Sequence, residues 1–247
     1  MRTKLKLRST LLAALPFIPF ALLADEKSTD APGLKEIGQV NASESAKWID
    51  LLSAKTKNLD EHWNTTGNWI LKEGVATLTP REGEKGWSRW TSYLWSKEKY
   101  GDFDIQFEYK LEKSGNSGFY LRVGDVNDPV NQGVEVQIYN TAPDKAPDKL
   151  TDHDAGGVIP GLKPQRNAAK PAGEWNKVEV THFDNKIVVT LNGVQVNAHD
   201  IAPGEGLSKR PQNGWIGFQD HSHPISLRNI RIRVPSAPAG KAAPAAR

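Results

Sequence analysis

Two short runs hold side chains able to do chemistry. One is Gly115-Asn116-Ser117-Gly118-Phe119-Tyr120-Leu121-Arg122-Val123; the other is Gly133-Val134-Glu135-Val136-Gln137-Ile138-Tyr139. Both alternate apolar and polar residues, the period-2 pattern of a strand with one buried face. The alternation sends Phe119, Leu121 and Val123 one way and Tyr120 and Arg122 the other. In the second run Val134, Val136 and Ile138 go to the core, and Glu135, Gln137 and Tyr139 share the opposite face. A solvated outer face is the bland account of such a pattern. The outward set argues for more: an acid, an amide, a guanidinium and two phenols suit a sugar-binding surface, whereas plain solvated faces favour Lys, Thr and Ser.

The rest of the chain must position these strands. Trp69–Leu71 and Val75–Leu78, split by Gly74, read as a hairpin, and Tyr93–Trp95 as a short strand. Phe103, Ile105, Phe107 and Tyr109 alternate with polar residues. Lys177–Thr181 and Lys186–Leu191 are two more strands. Asn192-Gly193 marks a type I′ hairpin turn, because both central positions need positive φ. Trp215–Gln219 and Ile230–Val234 close the series, and Gln219 falls in the parity that leaves the core. Many short strands, turn residues between them and little helix predict an all-β jelly-roll sandwich of two antiparallel sheets. Asn140 to Trp175 breaks the rhythm with five prolines and carries Asp152-His153-Asp154. A long irregular segment after the Glu135 strand reads as a rim over its polar face.

The ends differ from this middle. Met1 to Ala24 has four basic residues, then an apolar run from Leu11 to Leu23, the form of a cleaved secretory signal. This implies export to a bacterial periplasm or exterior, with no membrane attachment after cleavage. Residues 25–59 read as a loose leader with a short helix around Ala42–Leu52, residues 60–234 as the sandwich, and 235–247 as a disordered Pro/Ala-rich tail. The chain has 32 basic and 29 acidic residues; without the four bases of the signal, 28 stand against 29. That balance excludes a basic nucleic-acid footprint. With no cysteine there is no disulfide framework.

Several pieces resemble the 3-keto-disaccharide hydrolase domain family. They are Tyr100–Phe103, Glu108–Lys110, Gly115–Gly118, Gly133–Ile138, Lys170–Asn176, Asn192-Gly193, Gly217–His221 and Leu227–Ile230. No single piece is diagnostic; their order and spacing over most of the chain carry the likeness. The resemblance implies a concanavalin A-like sandwich, related in architecture to legume lectins and laminarinases, and hydrolysis of glycosides already oxidised at C3. Laminarinases place two or three carboxylates on alternate positions of one strand. Here that strand offers Glu135, then Gln137, then Tyr139, so the carboxylate pair of ordinary glycoside hydrolysis is missing.

A 3-keto sugar calls for a base at C2 and an electrophile at the enolate oxygen. Glu135 is the candidate base or metal ligand, with a strand carboxylate salt-bridged to Arg122 as its structural alternative. His221, at the end of a strand, is the candidate catalytic histidine; a turn-capping role is the alternative. Lys170 is a candidate hydrogen-bond donor to the keto oxygen. Arg122, Tyr120, Gln137, Tyr139, Gln219 and His153 are candidate carbohydrate-binding residues. A divalent metal (Ca, Mg or Mn) could be the electrophile, and Asp125-Val126-Asn127-Asp128 is an oxygen-rich run that suits calcium, or else a plain turn. A non-catalytic carbohydrate-binding module on the same sandwich is the other reading of the chain.

Overall fold

The computed structural model describes residues 46–201, 206–207 and 209–235. The signal-like segment, residues 25–45 of the leader and the tail from 236 lie outside them. In chain order the strands are β1 (Ile49–Leu52), β2 (Trp63–Asn64), β3 (Trp69–Lys72), β4 (Val75–Leu78), β5 (Leu94–Tyr100), β6 (Phe103–Leu111) and β7 (Asn116–Val123). There follow β8 (Val134–Tyr139), β9 (Val158–Ile159), β10 (Asn176–Phe183), β11 (Lys186–Leu191), β12 (Val194–Asp200), β13 (Gly214–Phe218) and β14 (Ile225–Arg233). They make two antiparallel sheets. The larger runs β12-β11-β10-β6-β14-β4-β3, with β1 also paired to β14; the smaller runs β2-β5-β13-β7-β8-β9. This is the jelly-roll sandwich that the alternation predicts.

The two sheets are clamped by three phenylalanines. Phe107 of β6 meets Phe119 of β7 at 5.2 Å and Phe218 of β13 at 5.0 Å between ring centroids, and Phe119 and Phe218 lie 5.3 Å apart. Each such ring contributes about 2–3 kcal/mol by leaving water. Their burial also fixes which side chains face away: with Phe119 inward, Tyr120 points out, and with Phe218 inward, Gln219 does. The Asn192-Gly193 turn has φ of 52° and 83°, as a type I′ hairpin requires.

Two expectations are corrected. The helix expected around Ala42–Leu52 is strand β1 where the chain is described, and the sandwich therefore begins at Ile49 rather than at residue 60. Leu51 and Leu52 are buried in the core, and β1 pairs with the second half of β14. An unpaired stretch of β14 beside an apolar core outweighs a short segment's local helix preference.

The second correction concerns β7. Its alternation fails at Arg122, whose φ is 57°. The pairing with β13 slips there: Val123 faces Trp215 while Tyr120 faces Gly217. A bulge of this kind shifts parity by one residue. Val123 therefore joins Tyr120, Tyr93 and Trp95 in a small cluster apart from the main core.

Candidate active site

The outward faces of β7 and β8 and the end of β13 meet in a cleft of about 330 Å³. Asn116, Tyr120, Glu135 and Gln137 come from the two strands, and Gln219 follows β13 directly. Loops add Trp87, His153 and His221, the short helix Pro129–Gln132 adds Val130, and β9 adds Ile159. A larger cleft, about 450 Å³, lies among Gln106, Glu108, Lys177 and Arg231 on the eight-stranded sheet. Several of its polar groups are already engaged: Glu108 accepts from Arg228 and Asn229, Arg231 donates to Gln106, and Lys177 pairs with Glu179. The smaller cleft, where a buried acid faces open space, is the better candidate for chemistry.

Glu135 is 9% exposed. Its Oε2 accepts a hydrogen bond from the Tyr120 hydroxyl at 2.7 Å. With its amide nitrogen turned towards acceptors, Gln137 donates to Glu135 Oε1 at 3.1 Å and to the Ser117 carbonyl at 3.2 Å. Both carboxyl oxygens are thus held. Burial pushes the Glu135 pKa up to about 7, against the opposing pull of the Tyr120 hydrogen bond and of His153. A carboxyl with that pKa is poised to take or return a proton near neutrality. Burial, followed by the charge of Glu135, drives the Tyr120 phenol upward, so Tyr120 stays a donor.

Glycine makes this placement possible. Gly118 of β7 faces Gln137 across the ladder, and the Glu135 carboxyl lies over it. A Cβ on Gly118 would overlap that carboxyl. Gly118→Ala should lower turnover about 10- to 10²-fold, because a displacement near 1 Å of a reacting group has effects of that size. The β-sheet circular dichroism should be retained. Unchanged kinetics in this variant would show that the position of Glu135 is not tightly required.

The histidines arrive from two directions. His221 follows Asp220, which is fully buried and accepts from the Arg89 guanidinium at 2.7 Å and from the Ser222 amide at 2.9 Å. The backbone of Gln219 is fixed in turn, its main-chain N–H donating to the Gly118 carbonyl and its main-chain carbonyl accepting from Ser117 Oγ. Partial burial pushes the His221 pKa down, which favours the neutral imidazole, and its ring stacks on His223 at 5.4 Å. His153 belongs to the proline-rich segment; its Nδ1 lies 2.7 Å from Asp152 Oδ1, and Asp152 also accepts from the Gly161 amide. That segment is stapled by buried Asp154, which binds Lys145, Thr141 and Thr151. The segment does form part of the rim.

Three candidate residues lie elsewhere. Arg122 is fully buried, and its guanidinium donates to the Pro211 and Arg210 carbonyls, both at 2.6 Å, so it neither lines the cleft nor pairs with Glu135. The bulge at Arg122 turned it off the predicted face. Lys170 is exposed and donates to the Trp175 carbonyl at 3.2 Å, beside the entry to β10 in the other sheet. Tyr139 keeps the parity of Glu135 but is 38% exposed at the end of β8, outside the cleft lining. The Asp125–Asp128 run forms a turn in which Asp125 accepts from the Asn127 amide and side chain, and Asp128 from Asn131. Among the described residues no group of three or more His, Cys, Asp or Glu side chains is placed to hold a metal ion.

Sequence reasoning passed over Asn116, Trp87, Val130 and Ile159. Asn116 shares parity with Gly118 and Tyr120 and was legible by the same alternation. The other three sit in a loop, a four-residue helix and a two-residue strand, all too short or irregular for a period to report which way a side chain faces.

A jelly-roll sandwich with one buried, hydrogen-bonded carboxyl in a cleft of mixed polar and apolar lining fits a sugar-acting β-sandwich protein. Residues 47–233 match the 3-keto-alpha-glucoside-1,2-lyase-like domain, and the chain belongs to that family. The match begins beside β1, in agreement with the sandwich boundary. A 3-keto-disaccharide hydrolase of Bacteroides thetaiotaomicron is 26% identical over 232 residues, covering 76% of this chain and 78% of the relative. A candidate glycosyl hydrolase from Parabacteroides distasonis superposes with a TM-score of 0.63 at 25% identity, covering 76% of this chain and 99% of that one. A second from the same organism gives 0.60 at 19% identity, covering 73% and 91%, and supports the fold. The family description and the name of the relative both concern enzymes that act on 3-keto sugars.

Proposed function

We infer that the protein cleaves the glycosidic bond of sugars already oxidised at C3, by elimination and rehydration. The observation that carries this reading is Glu135: the only carboxylate among the residues lining the cleft, buried, held by two donors, and with a pKa of about 7. One base and no carboxylate partner suits proton abstraction next to a ketone better than a two-carboxylate displacement.

In this mechanism Glu135 takes the C2 proton. The C–H electron pair becomes an enolate with its charge on the C3 oxygen, towards which the Asn116 and Gln219 amides can donate. The enolate collapses, the C1–O bond breaks, and its electron pair leaves with the aglycone oxygen, which gains a proton. The product is a 1,2-unsaturated 3-ketone. Water then adds, hydroxyl to C1 and proton to C2. The balance is hydrolysis, with no oxidant or reductant consumed. The first half corresponds to the lyase in the family description and the sum to the hydrolase activity of the relative. His221, kept neutral, and His153 are the imidazoles available to the departing and entering oxygens.

The test is hydrolysis of a 3-keto-glycoside in deuterium oxide, followed at short times by mass spectrometry and NMR. Free 3-keto sugar should carry deuterium at C2. Product with hydrogen fully retained at C2, formed at the catalysed rate, would point to direct displacement at C1 and defeat the elimination.

A further inference from the structure

Of the eight tryptophans in the chain, only Trp87 is exposed, at 43%. It sits in the loop between β4 and β5, which is anchored on both sides of the indole. Arg89 bridges Glu84 at 3.0 Å and buried Asp220 at 2.7 Å. Ser222 Oγ donates to the Gly86 carbonyl, and the Tyr93 hydroxyl to the Trp87 carbonyl at 2.8 Å. The indole rests against Trp90 at 5.1 Å, Trp90 against Tyr93 at 5.8 Å, and Tyr93 against Tyr120 at 5.9 Å. A ladder of rings thus runs from the mouth of the cleft to the phenol that holds Glu135. A large apolar side chain held in water at the edge of a cleft, with further apolar residues beside it, marks a contact surface.

Its neighbours in the lining strengthen the point. Val130, itself 41% exposed, and Ile159 add apolar surface, whereas Asn116, Glu135, Gln137 and Gln219 are polar. Polar groups suit the oxidised sugar, where proton transfer happens; apolar surface suits what is attached to it. We propose that Trp87 is the stacking platform of a leaving-group subsite, which selects 3-keto-glycosides whose aglycone presents a flat, apolar ring face. The C–H face of a second pyranose and an aromatic ring both offer that chemistry. The proposal rests on the reading of Glu135 as the base for the attached sugar.

The experiment compares kcat/KM of the wild type, Trp87→Ala and Trp87→Phe on methyl, phenyl and disaccharide 3-keto-glucosides. Trp87→Ala should lose about 20-fold on substrates with a ring-bearing leaving group, mostly through KM, as loss of a central aromatic anchor does. The loss on the methyl glycoside should be at least about five-fold smaller, and Trp87→Phe should recover at least half of the logarithmic loss, since a smaller ring still stacks. A fall confined to the disaccharide identifies a sugar ring as the natural contact, and one confined to the phenyl glycoside an aromatic ring. Equal losses on all three substrates, or none, overturn the proposal. Should the wild type cleave none of them, the elimination reading fails, and calorimetric titration with unoxidised phenyl glucoside still decides the subsite. Affinity weakened by Trp87→Ala upholds it, and affinity independent of Trp87 overturns it.

Discussion

Glu135→Gln is expected to reduce turnover of a 3-keto-glycoside by at least about 10³-fold, within the range by which a positioned general base accelerates a reaction. Gln keeps the shape and can still accept from Tyr120, so ligand affinity should change little. Retained binding with lost turnover separates an enzyme from a carbohydrate-binding module, which would have no turnover to lose. The wild-type rate should also rise with pH through about 7, because only the ionised carboxyl can take the C2 proton and burial has raised its pKa to that value. A flat profile between pH 5.5 and 8.5, or a Glu135→Gln variant with more than a tenth of wild-type kcat, would remove Glu135 from the chemistry.

The same substitution should stabilise the protein at neutral pH. The folded pKa of Glu135 lies above the ordinary glutamate value of 4.5. The folded state therefore holds this proton more tightly than the unfolded chain does. The associated stability is fully present below about pH 4.5 and is lost as pH rises through about 7. Above that range the ionised, buried carboxyl opposes folding by about 3 kcal/mol. Gln never ionises, so thermal unfolding at pH 8 should place Glu135→Gln above the wild type, and at pH 4 the difference should shrink. Proteins commonly hold such unfavourable groups at the point of catalysis.

The second large effect is a substrate split. The unoxidised parent glycoside should react at least about 10⁴-fold more slowly than its 3-keto form, a difference of about 5.5 kcal/mol in barrier. The ketone supplies that difference, because it lets the charge left by the C2 proton spread onto oxygen. Without it no side-chain base is strong enough. Released aglycone from both substrates, followed side by side, makes the comparison. Comparable rates would mean that C1–O cleavage does not depend on a neighbouring carbonyl, and would return the protein to ordinary glycoside hydrolysis.

Local alternation determined much of this protein. The strands of the β7–β8 pair, the inward Phe119 and Phe218, and the outward Tyr120, Glu135, Gln137 and Gln219 follow from a period of two, since successive side chains of a strand must face opposite ways. The Asn192-Gly193 turn was equally legible, because few residues other than these accept positive φ at two successive positions. The single carboxylate on the Glu135 strand, and hence the departure from two-carboxylate chemistry, needed no coordinates.

Tertiary structure decided the rest. Arg122 left the predicted face because a left-handed residue slips the ladder with β13, and parity carries no information across a bulge. Residues 49–52 became a strand because β14 and the core offered them more than a short isolated helix could. Lys170, the first residue of a family-like motif, lies beside the entry to the other sheet, since closeness along the chain does not fix which sheet a loop serves. Trp87 and His153 reach the cleft on long loops whose course is set by the Arg89–Asp220 and Lys145–Asp154 pairs, each joining residues far apart or in irregular segments. The raised pKa of Glu135 is likewise tertiary. It arises from the water excluded around the carboxyl, and a strand's sequence states only which way that carboxyl points.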